Sequence, residues 1–153
     1  MKILSFDLSL TQTGVAFANI DNDTVTNVST VSIIPSVDER KIIEELGFLH
    51  IKQKIDTKKG GSYQAYVLHK DERPPYAEKK KRDVAVRNAI NMAKRNSLAE
   101  QIKLLFDKVK PELILVERNE SFNGILTTKL LAEARGILEG ACVGATIKQY
   151  IVS

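Results

Sequence analysis

Residues 2–34, KILSFDLSLTQTGVAFANIDNDTVTNVSTVSII, decide the fold. Lys2 to Phe6 is an apolar run with β-branched content that ends at an acid, Asp7. Gly14 to Ile20 alternates after a Thr-Gln-Thr turn, and Val25 to Ile34 is rich in Val, Ile and Thr. Between them Asp21-Asn22-Asp23 is a strong turn signal. The segment reads as three strands in an antiparallel meander, with consecutive strands paired.

Working outward, the pattern breaks at Pro35. Residues 36–82 hold a short amphipathic piece, IIEELGFLHI, and then a hairpin. The hairpin pairs HIKQKI with SYQAYVL around Asp56 to Gly61, where glycines supply positive φ, and Pro74-Pro75 closes it. This stretch, at about 36–82, reads as an inserted, partly mobile arm, too small to build a core of its own. From Asp83 the period becomes 3.6. Val86, Ile90, Leu98, Ile102, Leu105 and Val109 share one face of a long helix that Pro111 ends. Glu112 to Val116 (ELILV) is the short continuous run expected of a strand covered on both faces.

Leu126 to Val143 forms a second helix, apolar through Leu130, Ala134, Ile137 and Ala141 and again through Leu131 and Leu138. A helix with two apolar faces packs on the sheet and on something else, and a dimer partner fits. Ala145 to Val152 is the fifth strand. The order β-β-β-(arm)-α-β-α-β implies an α/β domain over 1–153, built on a mixed five-stranded sheet with parallel crossovers and flanking helices. Two long helices are few for a sheet with two faces, so a further helix is expected beyond Ser153.

Composition sets the class. The chain has 153 residues, 43% of them apolar, which suits one well-filled core. No apolar run approaches the ~20 residues that cross a bilayer, and Asp7 interrupts the opening residues too early for a secretory signal. The single cysteine, Cys142, lies among Leu138, Ala141 and Val143 and reads as a buried thiol. A cytoplasmic protein without membrane partners is expected. The net charge of +4 is uneven: residues 36–82 carry twelve basic and eight acidic residues, the whole excess. Lys79 to Arg95 holds seven basic residues against Asp83 alone. Such a band favours phosphate contacts, although a solvated helix face looks the same by charge.

Two acids occupy revealing places. Asp7 ends the first strand within FDLSLTQTG, and Glu117 ends the fourth within ILVERNES. Strand ends at one edge of a sheet bring distant residues together. A carboxylate directly after an apolar strand is costly unless it is solvated, paired or bound to metal. Two hard oxygen ligands with room for phosphate oxygens and water describe a Mg²⁺ site.

At these residues a resemblance becomes specific. FDLSLTQTGVAF resembles the first-strand motif of the RuvC-type Holliday-junction resolvases, of the ribonuclease-H-like superfamily. The segment ILVERNESFNGILTTKLLAEARGILEGACV resembles their second acidic strand and the helix after it, including Ala134-Arg135-Gly136. The match covers about 2–34 and 97–152 and leaves the arm unmatched. A compact chain with a divergent arm suits a phage or mobile element.

The resemblance implies a homodimer, through helix 126–143, that cuts four-way and related branched DNA by two-metal hydrolysis with Mg²⁺, Mn²⁺ substituting. Asp7 would bridge both ions and Glu117 would complete one. The family adds two more carboxylates on a helix after the fifth strand. Glu120, three residues past Glu117, is the nearest stand-in, with Glu133 and Glu139 further off. For DNA contacts, Arg118, Asn119, Asn123 and Lys129 follow the acidic strand, and Phe122 is placed to stack on a base. Lys79, Lys80, Lys81 and Arg82 of the arm would lie along a duplex. His50 and His69 fall in the arm and are not expected to bind metal. One alternative is a branched-DNA-binding protein with an incomplete metal site that does not cut. An actin-like nucleotide-binding fold is another, but it needs a second phosphate loop and an adenosine motif, and neither is present.

Overall fold

The computed structural model describes residues 1–49, 52–68, 76–118 and 124–152. In chain order the elements are β1 (Lys2–Asp7), β2 (Thr13–Asp21), β3 (Thr24–Ile33), α1 (Glu39–Glu45), β4 (Gln53–Asp56), β5 (Ser62–Ala65), α2 (Tyr76–Val109), β6 (Leu113–Glu117), α3 (Ile125–Ala145) and β7 (Lys148–Val152). They fall into two compact units, one of Met1–Ser36 with Lys94–Ser153 and one of Val37–Ala93.

The first unit is a five-stranded sheet in the order β3-β2-β1-β6-β7. β1, β2 and β3 pair antiparallel, while β6 pairs parallel with both β1 and β7. This is the mixed α/β sheet expected from the sequence. Asn22 and Asp23 both have positive φ, 45° and 61°, which suits the two-residue turn that matches strand twist. The period-2 alternation then sorts the faces. Leu4, Phe6, Val15, Ile114 and Val116 join one core cluster with Leu98, Ile102 and Phe106 of α2 and Ala134, Leu138 and Cys142 of α3. Phe6 and Phe106 meet edge to face with ring centres 6.3 Å apart. Each such aliphatic or aromatic side chain contributes about 1.5–3 kcal/mol on burial.

Both helices therefore cover the same side of the sheet. Ser5, Asp7, Gly14, Ala16, Leu115 and Glu117 lie on the opposite side, and none is fully buried. β6 was expected to be covered on both faces; among the described residues only Ile114 and Val116 are buried. Ala134, expected at a dimer contact, is in the core of its own chain, with Leu130 and Ile137 partly buried against that core. The two apolar faces of α3 are largely one wide stripe. Among the described residues no helix is long and apolar enough to cross a membrane.

The second unit holds α1, the β4–β5 hairpin and residues 76–93 of α2. Where the sequence suggested an arm without a core, Ile43, Phe48 and Val86 are buried together, with Tyr66, Leu68 and Ile90 packed on them. Arg82 is sealed into this cluster. It donates to the Tyr66 carbonyl at 3.1 Å and lies over the Phe48 ring at 5.8 Å. α2 begins at Tyr76 rather than Asp83. Ion pairs at helical spacing, Lys79–Asp83 at 2.8 Å and Lys81–Glu78 at 3.6 Å, support the added turns. His50, His69 and Pro74-Pro75 lie outside the described residues.

Candidate metal and nucleic-acid site

Phe6 and Val116 are register partners on neighbouring parallel strands, so Asp7 and Glu117 follow them side by side at the same sheet edge. Both carboxylates are exposed and both line one open cleft of about 390 Å³, with Ser5, Gly14, Thr30 and Ser32 among the other walls. Asp7 pairs with Gly14 across the β1–β2 ladder, and a Cβ on Gly14 would stand 3.6 Å from that of Asp7. The glycine thus leaves the cleft open beside Asp7 without being sterically required.

The turn after Asp7 is held by a residue that sequence reasoning does not single out. Thr13 is fully buried; its hydroxyl donates to the Ser9 carbonyl at 2.6 Å and accepts from the Ser9 N–H at 3.2 Å. Leu8 and Leu10 point into the core from the same turn. A buried hydroxyl satisfied twice fixes the loop that presents Asp7. The pattern S-x-x-x-T is visible in the sequence, but only burial distinguishes it from a solvated turn.

The donor set suits a hard cation in part. Two carboxylates on adjacent strand ends, beside hydroxyls and open to solvent, match the oxygen ligands that Mg²⁺ takes, with water and substrate oxygens completing the shell. No group of three or more His, Cys, Asp or Glu that would hold a metal occurs among the described residues. Glu120 lies outside the described residues. Glu133 is tied to Arg95 at 2.6 Å. Glu139 lies with Glu117 on a second pocket, on the α3 side.

The expected DNA-contacting residues are scattered. Arg118 is exposed one residue past Glu117, its backbone N–H bonded to the Val152 carbonyl at 2.8 Å, and Lys129 is exposed on α3. Asn119, Phe122 and Asn123 lie outside the described residues. Of the basic run, Lys80 and Lys81 are exposed, whereas Lys79 binds Asp83 and Arg82 is buried under Tyr66 and Phe48. Arg82 is thus a structural residue of the second unit. Burial pushes the Asp83 carboxyl up, but hydrogen bonds from Lys79 and Lys52 and their charges outweigh it and hold the group below the usual carboxylate range. Cys142 is buried as expected, and burial, with Glu139 nearby, pushes its thiol up to about 11.

Compared with protein-family models and with curated proteins, the chain matches none. Among solved structures it is similar to Thermus thermophilus RuvC in complex with Holliday junction substrate, at TM-score 0.54 and 9% identity over 99% of this chain and 65% of that one. It is similar also to Thermus thermophilus RuvC alone, at TM-score 0.52 and 10% identity, over 99% and 63% of the two chains. The chain thus spans somewhat less than two thirds of the length of these structures. At such identity the likeness is one of fold. This protein has a ribonuclease-H-like fold, with two carboxylates at the open edge of its central strands.

Proposed function

We propose that the chain is a metal-dependent endonuclease acting on branched DNA, four-way junctions included. The observation that carries this reading is the placement of Asp7 and Glu117 at neighbouring parallel strand ends in one open cleft. The shared fold with a resolvase solved on a Holliday junction supports the choice of substrate. Asp7 and Glu117 would hold Mg²⁺ or Mn²⁺. Bound there, the cation supplies a water of lowered pKa and neutralises phosphate charge. The chain's own part is to orient the backbone: the Thr13-braced turn fixes Asp7, Gly14 keeps the approach clear, and Arg118 and Lys129 offer charge to flanking phosphates. Glu120, Asn119, Phe122 and Asn123 remain in the proposed site on the strength of the resemblance. A second cation, cytoplasmic action and a homodimer through helix 126–143 belong to the same proposal.

A labelled four-way junction incubated with Mg²⁺ or Mn²⁺ tests it. The wild type should give paired nicks. Asp7→Asn should give none while binding the junction as well or slightly better, because a negative charge facing phosphate is gone. Normal cutting by Asp7→Asn would sink the assignment. With Asp7 and Glu117 as the acids lining the cleft among the described residues, a second reading is a protein that holds branched DNA without cutting it. That reading predicts a junction complex and no nicks from the wild type in either metal.

A further inference from the structure

Glu117 is a wall shared by two cavities. One is the cleft with Asp7; the other is a pocket of about 250 Å³ on the α3 side, lined by Leu8, Glu117, Thr128, Leu131, Arg135 and Glu139 among others. Leu8 and Leu131 give it apolar walls, and Arg135 alone of its lining residues brings positive charge. The Nη2 of Arg135 is buried and has no hydrogen-bond partner among the described residues. Its ion pair with Glu139, from Nε, is long at 3.8 Å and partly exposed. A guanidinium presents N–H donors in a rigid planar fork, and a buried edge of that fork left unmatched is a costly arrangement in an apolar wall. The mouth beside it is clear, since a Cβ on Gly136 would meet nothing within 4 Å.

We propose that Arg135 seats a backbone phosphate of the DNA strand, the neighbour of the phosphate that a cation at Asp7 and Glu117 would hold. This rests on the nuclease reading of the cleft and names one contact that orients its substrate. The fork matches two oxygens of a phosphodiester at once. At about 30 Å³ per water, the pocket has room for a phosphodiester and several waters. A strand crossing Glu117 places one phosphate on each side of it. Glu117 and Glu139 oppose an anion in this pocket. Glu139 is half-exposed and screened, and the charge of Glu117 is offset once it binds a cation. The seat is therefore strongest when the cleft is loaded, which couples metal and DNA binding. Arg135 acts here by binding and positioning, away from the reacting atoms.

The full chain as wild type, Arg135→Gln and Arg135→Lys is titrated with a four-way junction in Ca²⁺ over a range of salt. Arg135→Gln should bind several-fold more weakly, and the slope of log affinity against log salt should fall by about 0.9, one phosphate contact. Arg135→Lys should keep the slope, since the charge remains, yet bind less well than wild type because the fork is gone. Junctions carrying single neutral methylphosphonates should show one position whose penalty in the wild type vanishes in Arg135→Gln. An unchanged salt slope in Arg135→Gln, or methylphosphonate penalties identical in the two proteins, overturns the seat. If Arg135→Gln does not fold by circular dichroism, Arg135→Lys decides: affinity equal to wild type overturns the fork. Binding in Ca²⁺ needs no cutting, so a wild type that binds but never nicks sinks the nuclease reading while leaving Arg135 measured. A wild type that nicks normally with Arg135 silent sinks the seat alone.

Discussion

Gly14 faces Asp7 with room for one more methyl group: the 3.6 Å that a Cβ would keep from Asp7 is ordinary van der Waals contact. Its φ is not in the left-handed region, so alanine fits the backbone as it stands. Gly14→Ala should therefore stabilise the protein by about 0.4–1 kcal/mol in urea unfolding, by reducing the freedom of the unfolded chain. Gly14→Leu should leave the fold in place, fill the cleft beside Asp7 and suppress cutting. A fall in stability of Gly14→Ala would show that the methyl crowds Asp7 after all. The residue scale is also where the sequence was least legible. Asp7 and Glu117 stood out because each follows an apolar strand. Arg135 stood out only as part of Ala134-Arg135-Gly136, because nothing in the sequence shows that one edge of its guanidinium is buried. Thr13 was hidden among neighbours of the same chemistry, Ser9 and Thr11, with which it shares a turn.

The start of α2 shows how one run of like charge divides by helix geometry. Lys79, Lys80, Lys81 and Arg82 occupy a little over one turn, so they point in different directions. Lys80 and Lys81 face solvent, Lys79 reaches Asp83, and Arg82 turns inward to the Tyr66 carbonyl. Sequence counts the four as one band; the helix commits two of them to packing. Arg82→Ala should destabilise the protein by about 1–3 kcal/mol, the range for a buried charged hydrogen bond. Replacing Lys80 and Lys81 by glutamine should cost no more than about 0.5 kcal/mol of stability, from the exposed Lys81–Glu78 pair, and lower the DNA salt slope by up to about 1.8, at about 0.9 for each phosphate they neutralise. An unchanged slope would remove this face from the DNA surface. The partner of Lys79 adds a pH dependence. Asp83 titrates below the usual carboxylate range in the folded protein, held there by Lys79 and Lys52 against the effect of burial. Its charged form thus stabilises the fold fully above the usual range, and that contribution disappears as pH falls through the lower folded value. The stability gap between wild type and Asp83→Asn should be widest at neutral pH and close in acid below about pH 4. A gap that stays constant down to about pH 2 would show that the pair contributes by packing alone.

For the whole molecule, the first unit was legible because hydrophobic period and turn chemistry agree along it. A meander closed by Asn22-Asp23 and an apolar run before Pro111 each admit few folds. The second unit was not, because among the described residues its cluster has three buried hydrophobics, drawn from α1, the loop after it and α2. No periodic signal joins such separated residues. The expectation of a dimer rested on surplus apolar surface on α3, and the fold absorbs part of that surplus through Ala134. The exposed residues of α3 include Ala132, Gly136, Gly140, Gly144, Ala145 and Val143, the last at 77%. The proposed homodimer can be tested by its consequence rather than by its interface. Paired nicks on a symmetric junction need two active cleft sites held together, one per strand. If each comes from its own chain, mixing wild type with an excess of Asp7→Asn forms mixed dimers with one working site. Junctions bound by these should accumulate a single nick, and the share of doubly cut product should fall with the square of the wild-type fraction. Two chains acting independently predict a different course. Every junction would still receive both nicks as wild-type molecules exchange, and only the rate would fall, in proportion to the wild-type fraction. A linear fall with no singly nicked intermediate would therefore remove the dimer from the proposal while leaving Asp7 and Glu117 in the site.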